Sequence, residues 1–420
     1  MEMVQYKSLI STQHPSHWKV VRNKAFLSIT GEVVGKRANE FVLLSLTTNG
    51  VIVRDVESGK GKFPKDFDTY QVVKPNELVF CLFDIDETPR TVGIVEKEGM
   101  LTGAYTALKV NQNRAFPLFV YYYYIAVDNI KGLKPYYSGL RKTVRADKFL
   151  QIYIPLPPLA EQEKIVSYLE DKTSKIDAYV ADKEKEIELL QELKQKTIAD
   201  AVTKGLNPDA KMKDSGISWI GEIPEHWEVK QLRSFLTLFT EKGHGDAQLL
   251  SVTREQGVIE RDKEDKEENH NFVPDDLSGY KYIEKGDFAI NKMKAWQGSY
   301  AVSEYNGIVS PAYFTCKLKG VNKDFFSKAI RSKVYVPFFT QYSKGIRVGQ
   351  WDLNPNALKS IPFFLPPSDE QQAIVVYIEE KCEKIDKLAS ELQSEIDYLK
   401  EYKQRLIADC VTGQVNVQNI

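Results

Sequence analysis

The sequence predicts an α+β protein in which two mixed α/β modules are joined by two long helices that form an antiparallel coiled coil. Three observations support this prediction. One proline-glutamate-glutamine motif occurs twice, each copy opens a long stretch without proline or glycine, and the other segments contain many short strand-like patterns. The repeat implies that the two halves of the chain are related by a pseudo-two-fold axis.

The internal repeat has a constant offset of 209 residues along its helical part. Residues 157–203 align without a gap with residues 366–412, and 23 of the 47 aligned positions are identical. The same offset aligns Trp18 with Trp227, whereas the segments between these anchors match only loosely. The order is therefore a divergent module, a repeated helix, a second divergent module and a second repeated helix.

The predicted boundaries place the first module at 1–155, the first helix at 156–204, a linker at 205–224, the second module at 225–365 and the second helix at 366–420. Both modules contain short aromatic and β-branched runs that are typical of strands. The linker is indicated by helix breakers in polar surroundings. The predicted strands include Phe41–Leu46, Glu77–Phe83, Gly93–Val95, Asp287–Asn291 and Ile308–Lys317.

The two repeated helices are predicted from the absence of helix breakers. Neither proline nor glycine occurs from Leu159 to Lys204 or from Ser368 to Thr412, so each helix would extend for ~60–70 Å at 1.5 Å per residue. Apolar residues seven apart in the second helix indicate a heptad seam, which Lys183 interrupts in the first. A dimerisation rod would explain the seam too, but two matching helices in one chain favour an intramolecular pair. The seam residues are Ile378, Ile385, Leu392, Leu399 and Leu406.

Bulk composition narrows the class of protein. Apolar residues make up 42% and charged residues 27% of the chain, as in globular proteins. The longest apolar stretch, Phe116–Val127, is too short to span a bilayer, and the polar N-terminus predicts no signal peptide, so we expect a cytoplasmic location. The four scattered cysteines include no CxxC pair, which argues against disulfides and zinc. A net charge of −1 means that any DNA binding requires local basic faces.

Four stretches of the chain resemble the specificity subunits of type I restriction-modification systems. IPLPPLAEQEKIVSYLEDKTSKIDAYV and LPPSDEQQAIVVYIEEKCEKIDKL are similar to their conserved regions. VTKGLNPDAKMKDSGISWIGEIPEHWEV, from Val202, is similar to their inter-module linker, and KGDFAINKMKAWQGSYAVSEYNGIVSPAY, from Lys285, to a target recognition domain. The N-terminal stretch MEMVQYKSLISTQHPSHW departs from the pattern, because it lacks the Gly-Ile-Ser-Trp-Ile-Gly lead-in that precedes the second module.

The resemblance implies a function. Each module would be a target recognition domain that reads one half of a split, asymmetric site in double-stranded DNA, and the helices would set the gap between the halves. Two modification subunits would dock on the helices and methylate adenine, and two restriction (motor-nuclease) subunits would join them. No cofactor is expected in this chain, since S-adenosylmethionine, ATP and Mg²⁺ would belong to the partner subunits. The repeat agrees with this, because two different modules can read unrelated half-sites, whereas a homodimer would require a palindrome.

The resemblance also implies which residues would contact the modification subunits. They lie at the start of each repeated helix, within and just after the proline-glutamate-glutamine motif. The predicted partner-binding residues are Glu161, Gln162, Ile165, Tyr168, Glu370, Gln371, Ile374 and Tyr377.

A coiled-coil scaffold without sequence readout and a stand-alone DNA-modifying enzyme are the alternatives. The sequence contains no Asn/Asp-Pro-Pro-aromatic loop, no GxGxxG and no P-loop. Pro274-Asp275 has a downstream Glu-x-Lys only on the second repeated helix, which disfavours a nuclease site. His14 and His17 have no third ligand nearby, so we expect His17 to be a packed structural histidine. We therefore predict a non-catalytic chain without a metal site.

The candidate DNA-binding residues are polar or basic and lie on predicted loops, because base readout needs such side chains at the groove. Residues 291–297 offer several of them, whereas Arg90 is the one basic residue in the corresponding segment 83–91. For each lysine or arginine, a solvated surface charge is the alternative. Trp296 and the tyrosines at 121–124 are predicted to pack in the core rather than to stack on bases. The candidates are Arg90, Arg141, Lys142, Arg145, Asn291, Lys292, Lys294, Gln297, Lys344 and Arg347.

Overall fold

The computed structural model describes residues 2–54, 67–262, 273–274, 276–345 and 351–417. The chain folds as two compact units, one made of Met1–Glu184 with Gln393–Ile420 and the other of Lys185–Leu392. Each unit therefore combines one module with half of each long helix.

The core of the first module is an antiparallel sheet covered on both faces. Its strand order is β4-β11-β8-β9. Leu78 and Phe80 of β8 pack with α1 in the main core, and Val79 between them packs in a separate cluster with Leu44 and Leu101, as the two-residue period of a strand requires. The elements are β1 (Met3–Gln5), β2 (Gln13–Pro15), β3 (Lys19–Arg22), β4 (Leu27–Ile29), β5 (Leu44–Thr47), β6 (Gly50–Val53), β7 (Gln71–Val73), β8 (Leu78–Phe80), β9 (Val92–Ile94), β10 (Gly99–Leu101), β11 (Thr106–Val110), α1 (Pro117–Asn129), α2 (Ala146–Phe149) and β12 (Tyr153–Leu156).

Two long helices follow the modules. The first, α3 (Leu159–Lys204), follows the first module and ends where Gly205 adopts a φ of +72°. The second, α7 (Ser368–Val411), ends before Gly413, whose φ is also +72°. Glycine is the residue that adopts this left-handed conformation without a steric penalty. The stretches without proline or glycine, 159–204 and 368–412, thus match the two helices to within one residue. The wider bounds predicted for the helical segments, 156–204 and 366–420, are corrected, because Leu156 belongs to β12 and α7 ends at Val411.

The second module repeats the plan of the first. Its sheet has the order β16-β23-β20-β21, and Phe288 and Ile290 of β20 face the main core while Ala289 faces a smaller cluster. The elements are β13 (Met212–Asp214), β14 (Glu222–Pro224), β15 (Glu228–Gln231), β16 (Leu236–Phe239), β17 (Leu250–Thr253), β18 (Gly257–Glu260), β19 (Lys281–Ile283), β20 (Phe288–Ile290), β21 (Tyr300–Val302), β22 (Gly307–Val309), β23 (Phe314–Leu318), α4 (Lys323–Arg331), α5 (Val336–Tyr342), β24 (Ser343–Lys344), β25 (Asp352–Leu353), α6 (Pro355–Ser360) and β26 (Pro362–Leu365).

The segment predicted as a linker, 205–224, is a folded part of the second unit. Its strands β13 and β14 form a hairpin, and Ile223 is completely buried in the main core. The N-terminal strands β1 and β2 pair in the equivalent register, although the sequence there lacks the lead-in of the second copy. The sequence criterion of breakers in polar surroundings missed the isolated isoleucines that bury this hairpin.

The predicted strands are present but shorter than expected at most positions. Phe41–Leu46 contains β5 only from Leu44, and Glu77–Phe83 narrows to β8. The segment Ile308–Lys317 is divided between β22 and β23, because Pro311 cannot donate a ladder hydrogen bond. The tyrosines at 121–124 lie on α1, where Tyr123 and Tyr124 are fully buried, so the prediction of core packing holds for these two.

The long helices contact each other inside each unit. In the first unit Lys403 lies 2.6 Å from Asp177 and Lys400 lies 3.0 Å from Glu184. Residue numbers on α7 therefore decrease as those on α3 increase, so the two helix segments run antiparallel. In the second unit Lys194 lies 2.7 Å from Asp386. Exposed ion pairs contribute only ~0.2–1 kcal/mol each, so apolar packing dominates. Of the predicted seam residues on α7, Ile378, Leu392 and Leu406 are buried and Ile385 and Leu399 are half-buried; the nearby Ile374 and Ile396 are also buried.

Candidate nucleic-acid interface

Glu161 ties the start of α3 to the first module. Its carboxylate accepts hydrogen bonds from His17 Nε2 at 2.8 Å and from the buried indole Nε1 of Trp18 at 3.1 Å. The end of α7 packs on the same tryptophan, since a Cβ on Gly413 would lie 3.1 Å from its ring. His17 thus hydrogen-bonds to Glu161, but its side chain is 42% exposed, so it is not packed as the sequence predicted.

Glu370 forms the equivalent contacts in the second unit. It accepts from His226 Nε2 at 2.8 Å and from Trp227 Nε1 at 3.1 Å. A Cβ on Gly205 would lie 2.6 Å from the Glu370 carboxylate and 3.3 Å from the indole. We call these two arrangements the glutamate clamps.

The glutamine that follows each glutamate completes the motif. Gln162 accepts from the backbone N–H of Phe116 at 2.7 Å, and Gln371 accepts from that of Asn322 at 2.9 Å, in each case just before the main helix of the module. Both side-chain amides also donate to the carbonyl of their own Pro-Pro pair at 2.8 Å. The proline-glutamate-glutamine motif thus joins each long helix to its module.

This geometry bears on the predicted partner-binding residues. Five of the eight are buried inside their own units: Glu161, Gln162, Ile165, Gln371 and Ile374. Glu370, Tyr168 and Tyr377 are half-buried, and Lys172 and Lys381 lie over the two tyrosine rings at 5.5 and 5.7 Å. Contact of any of these residues with a partner stays a prediction, for which the two tyrosines offer the most accessible surface.

Strand register determines which loops meet in the second module. Ile290 pairs with Phe314, and Phe239 pairs with Thr315, so the ends of β16 and β20 and the start of β23 lie at one edge of the sheet. We call the residues at this edge, Lys242, Lys281, Asn291, Lys292 and Tyr313, the second strand-end face.

Tyr313 organises the second strand-end face. Its hydroxyl accepts from the Asn291 amide at 3.3 Å, and its backbone carbonyl accepts from Lys281 Nζ at 2.6 Å. Burial lowers the pKa of the Lys281 ammonium, and the charges of Lys242 and Lys292 lower it further. An anion bound beside Lys281 would therefore stabilise its charged form.

Two predicted residues of this module, Lys292 and Lys344, line one cleft of 660 Å³ together with Asp352 and Asn354. Lys292 Nζ lies 3.1 Å from Asp352 in this cleft. The structure therefore brings the loop after β20 next to the β24–β25 hairpin, which the sequence separates by some fifty residues.

The other predicted residues of the second module lie along the same loop. Lys294 is exposed and Gln297 is half-buried. Trp296 packs against Trp351 with ring centroids 5.0 Å apart, in line with the expected packing role. Arg347 lies outside the described residues.

The first strand-end face has the same backbone plan and different chemistry. Phe83 stacks on Tyr105 with ring centroids 6.0 Å apart and planes 10° apart, and Cys81 occupies the place of Asn291 at the end of the central strand. Gln71 donates to the Tyr105 carbonyl at 2.7 Å. An uncharged amide therefore occupies the place of the Lys281 ammonium.

Most predicted cations of the first module are paired with carboxylates. Arg90, Lys142 and Arg145 each lie 3.0–3.5 Å from a carboxylate oxygen of the same module. Arg141 is exposed, and among the described residues no carboxylate pairs with it. Of the four, Arg141 is thus the one best placed to contact phosphate.

Sequence reasoning missed Lys242 and Lys281. Neither belongs to a motif, and they join Asn291 only through strand register. Comparison of the two repeats would have drawn attention to position 281, since the equivalent residue of the first module is Gln71.

Two further classes of site are absent from the described parts of the chain. They contain no group of three or more His, Cys, Asp and Glu side chains that could hold a metal ion. They also contain no helix that combines the length and apolar character needed to cross a membrane.

Known sequences similar to this chain are DNA specificity domains and subunits of type I restriction enzymes. A family model described as "Type I restriction modification DNA specificity domain" matches residues 58–189. The chain is 25% identical to the type I restriction enzyme MjaVIII specificity subunit of Methanocaldococcus jannaschii, over 99% of this chain and 97% of that protein. It is 24% identical to the EcoKI specificity subunit of Escherichia coli K12, over 66% of this chain and 60% of that protein.

Solved structures share the fold. A chain from a study of complex assembly and conformational transition of the type I R-M system superposes with a TM-score of 0.65 at 14% identity, covering 96% of this chain and 99% of that one. The HsdS subunit of Thermoanaerobacter tengcongensis superposes with a TM-score of 0.51 at 16% identity, covering 96% and 98%. The predicted α+β class with two domains is confirmed.

Proposed function

Because this chain belongs to the specificity subunits of type I restriction-modification systems, we propose that its two modules each read one half of a bipartite, asymmetric DNA site. The DNA sequence-specificity role and the non-catalytic character belong to the family. The assignment of one half-site to each module is what the resemblance implies, and we propose it for this chain.

The contrast between the two strand-end faces is the observation that carries this proposal. Equivalent sheets present Lys281 and Asn291 in one module and Gln71 and Cys81 in the other. Of these four residues, Lys281 is half-buried and the other three are buried at the strand ends. A difference at this edge, on a shared frame, is what two readers of unrelated sequences require. A scaffold would need no such difference.

Different residues of the second face suit different parts of DNA. The ammonium groups of Lys242 and Lys281 are suited to phosphates, which fix orientation without reading sequence. The Asn291 amide can bond both to N6 and N7 of adenine, and Lys292 to O6 and N7 of guanine. We assign Lys294, Gln297 and Lys344 to the same groove, and Arg141 of the first module to phosphate.

The partners follow from the same role. The chain would assemble with modification and restriction subunits on DNA, with two of each per chain, and would act in the cytoplasm, where the DNA is. S-adenosylmethionine, ATP and Mg²⁺ would be held by those subunits. Docking of the modification subunits on the long helices would use the half-buried Tyr168 and Tyr377.

We further propose that the long helices set the gap between the half-sites. Helix α3 continues without a break through the boundary between the units at Glu184 and Lys185. Four residues inserted after Ala181 would add ~6 Å of helix, close to one full turn. Because DNA rises ~3.4 Å per base pair, the unread gap should lengthen by one or two base pairs while both half-sites stay unchanged.

The proposal is tested by mapping methylated adenines at single-molecule resolution in cells that carry the chain and its modification subunits. With Lys292→Ala, we expect one half-site to lose discrimination at one position, by ~1–3 kcal/mol, and the other half-site to stay unchanged. Lys319→Ala is the matched control, since Lys319 is exposed beyond the opposite end of β23.

Two outcomes would count against the proposal. Unchanged methylation with Lys292→Ala and with Asn291→Ala would mean that this face does not read bases. A change in both half-sites would mean that one module does not read one half.

A further inference from the structure

Leu140 is the most exposed large apolar side chain of the described residues, with a fractional exposure of 102%. It lies in a tight turn from Gly139 to Lys142. Backbone hydrogen bonds of 3.0 and 3.1 Å in both directions between Ser138 and Thr143 close this turn. A turn closed in this way presents its apolar tip in a fixed position.

The turn is fixed on the segment that follows β8. The N–H of Asp84 donates to the Arg141 carbonyl at 2.9 Å, and the N–H of the buried Val144 donates to the Leu82 carbonyl at 2.7 Å. Leu140 therefore belongs to the loops next to the first strand-end face.

The charges at the tip are unequal. Lys142 Nζ lies 3.1 Å from Asp86 and 3.4 Å from Glu87, and Lys134 Nζ lies 3.4 Å from Asp86, so these two cations and two carboxylates largely neutralise one another. Arg141 is exposed beside Leu140, and no carboxylate among the described residues pairs with its guanidinium. The tip thus offers an apolar side chain and a free guanidinium to one partner.

This pair of groups matches the major groove of DNA. A phosphate accepts from a guanidinium, and the C5 methyl group of thymine is the apolar group that the groove displays next to base-edge acceptors and donors. A half-site that contains a methylated adenine contains at least one thymine on the complementary strand. An apolar tip flanked by a cation is therefore suited to read an A·T pair.

We propose that Leu140 packs on the C5 methyl group of a thymine in the half-site read by the first module, while Arg141 contacts a neighbouring phosphate. This inference rests on the proposed function, because it needs the first module to lie on DNA. It adds a base-reading residue to a face whose other cations are paired.

Deoxyuridine provides a probe for the methyl group, since it differs from thymidine by that group alone. The complex of the full chain with its modification subunits is titrated with duplexes that carry the mapped site, with each thymine of the first half-site replaced in turn. We expect one replacement to weaken wild-type binding about fourfold, as the loss of one buried methyl group does. Leu140→Ala should weaken binding to the unmodified site about five- to tenfold and be insensitive to that replacement.

Matched variants separate reading from other roles. Leu140→Met should retain most of the affinity and the deoxyuridine effect. Ile130→Ala removes another exposed aliphatic side chain of the first module, 61% exposed, and should bind as wild type. Arg141→Ala should weaken binding to mapped and scrambled duplexes alike and reduce the salt dependence, as loss of a phosphate contact does.

Three results would overturn the proposal: wild-type affinity of Leu140→Ala for the mapped site, an equal loss on scrambled DNA, or a deoxyuridine effect that persists in Leu140→Ala. A wild-type complex that does not prefer the mapped site to a scrambled duplex would instead contradict the proposed function itself. The two failures are therefore distinguishable.

Discussion

The two modules share one frame and differ in the chemistry of their strand ends. The glutamate clamps have matching partners at matching distances, 2.8 Å to the imidazole and 3.1 Å to the indole in both units. The strand-end faces, built on the same sheet order, carry a stacked aromatic pair in the first module and a cluster of lysines in the second. The two strand-end faces thus differ in chemistry, whereas the frame that holds each module on the long helices is retained.

The largest expected effect is a loss of stability when a glutamate clamp is removed. Glu161→Ala removes two hydrogen bonds to a carboxylate and leaves the buried Trp18 Nε1 without a partner, which should cost the first unit about 3 kcal/mol. Glu370→Ala should cost the second unit less, about 1.5 kcal/mol, because the Glu370 side chain is 21% exposed against 7% for Glu161 and water can replace it. Hydrogen exchange should show lost protection in the altered unit alone.

Glu163→Ala provides the control for the clamp, since Glu163 is an exposed neighbour on α3. Equal loss of protection in both units after either clamp substitution would show that the clamps do not act separately.

The next effect is a change in the salt dependence of DNA binding when one charge is exchanged between the two strand-end faces. Lys281→Gln should keep the hydrogen bond to the Tyr313 carbonyl, as Gln71 keeps the bond to Tyr105, while removing a phosphate contact. We expect the slope of log K against log salt to become less negative by ~0.9. Gln71→Lys in the first module should change the slope by a similar amount in the opposite direction.

The salt dependence of DNA binding by the assembled complex measures both variants. An unchanged slope in Lys281→Gln would place the Lys281 ammonium away from the phosphates.

A smaller effect tests how Tyr313 orients Asn291. Tyr313→Phe removes the hydroxyl that accepts from the Asn291 amide and should reduce discrimination at one base pair by about 1 kcal/mol. Tyr105→Phe in the first module should leave recognition unchanged, because the Tyr105 ring stacks on Phe83 and no hydrogen bond of its hydroxyl occurs among the described residues. Competition binding with single-base variants of the mapped site provides the measurement, and equal effects of the two substitutions would contradict this role.

The smallest effect concerns the helices that cover each module. In the second unit, Ser327 and Lys328 of α4 line a cleft of 870 Å³. Cys382 lines the same cleft and is half-buried. In the first unit, the equivalent turn of α1 carries Tyr121 and Tyr122, and the residue equivalent to Cys382, Thr173, is buried.

Alkylation should therefore modify Cys382 before Cys81, Cys316 and Cys410, all of which are buried. A cysteine introduced by Thr173→Cys in a Cys382→Ser background should be protected from alkylation until the first unit unfolds locally. Peptide mass spectrometry after timed labelling distinguishes the cysteines. Equal labelling at positions 173 and 382 would show that Tyr121 and Tyr122 do not shield position 173.

Much of the fold could be predicted from the sequence, because the signals involved are local. Helix α3 begins after Pro157-Pro158 and ends at Gly205, and both signals are visible within a few residues of the boundary. The 209-residue offset and the family resemblance depend only on residue order. The hairpin at Met212–Pro224 escaped prediction, because its stability comes from burial of Ile223 against a core that is distant in sequence.

The sequence by itself determined the repeat, the two long helices and the class of protein, since each follows from periodicity, helix breakers and motif spacing. The tertiary structure alone decided which side chains meet. It turned Glu161 and Gln162 from surface candidates into buried links between helix and module, placed Lys281 beside Asn291, and left Leu140 exposed at a closed turn. The physical reason is that strand register and burial depend on pairing between distant segments, and a slip of one residue would turn each side chain to the opposite face.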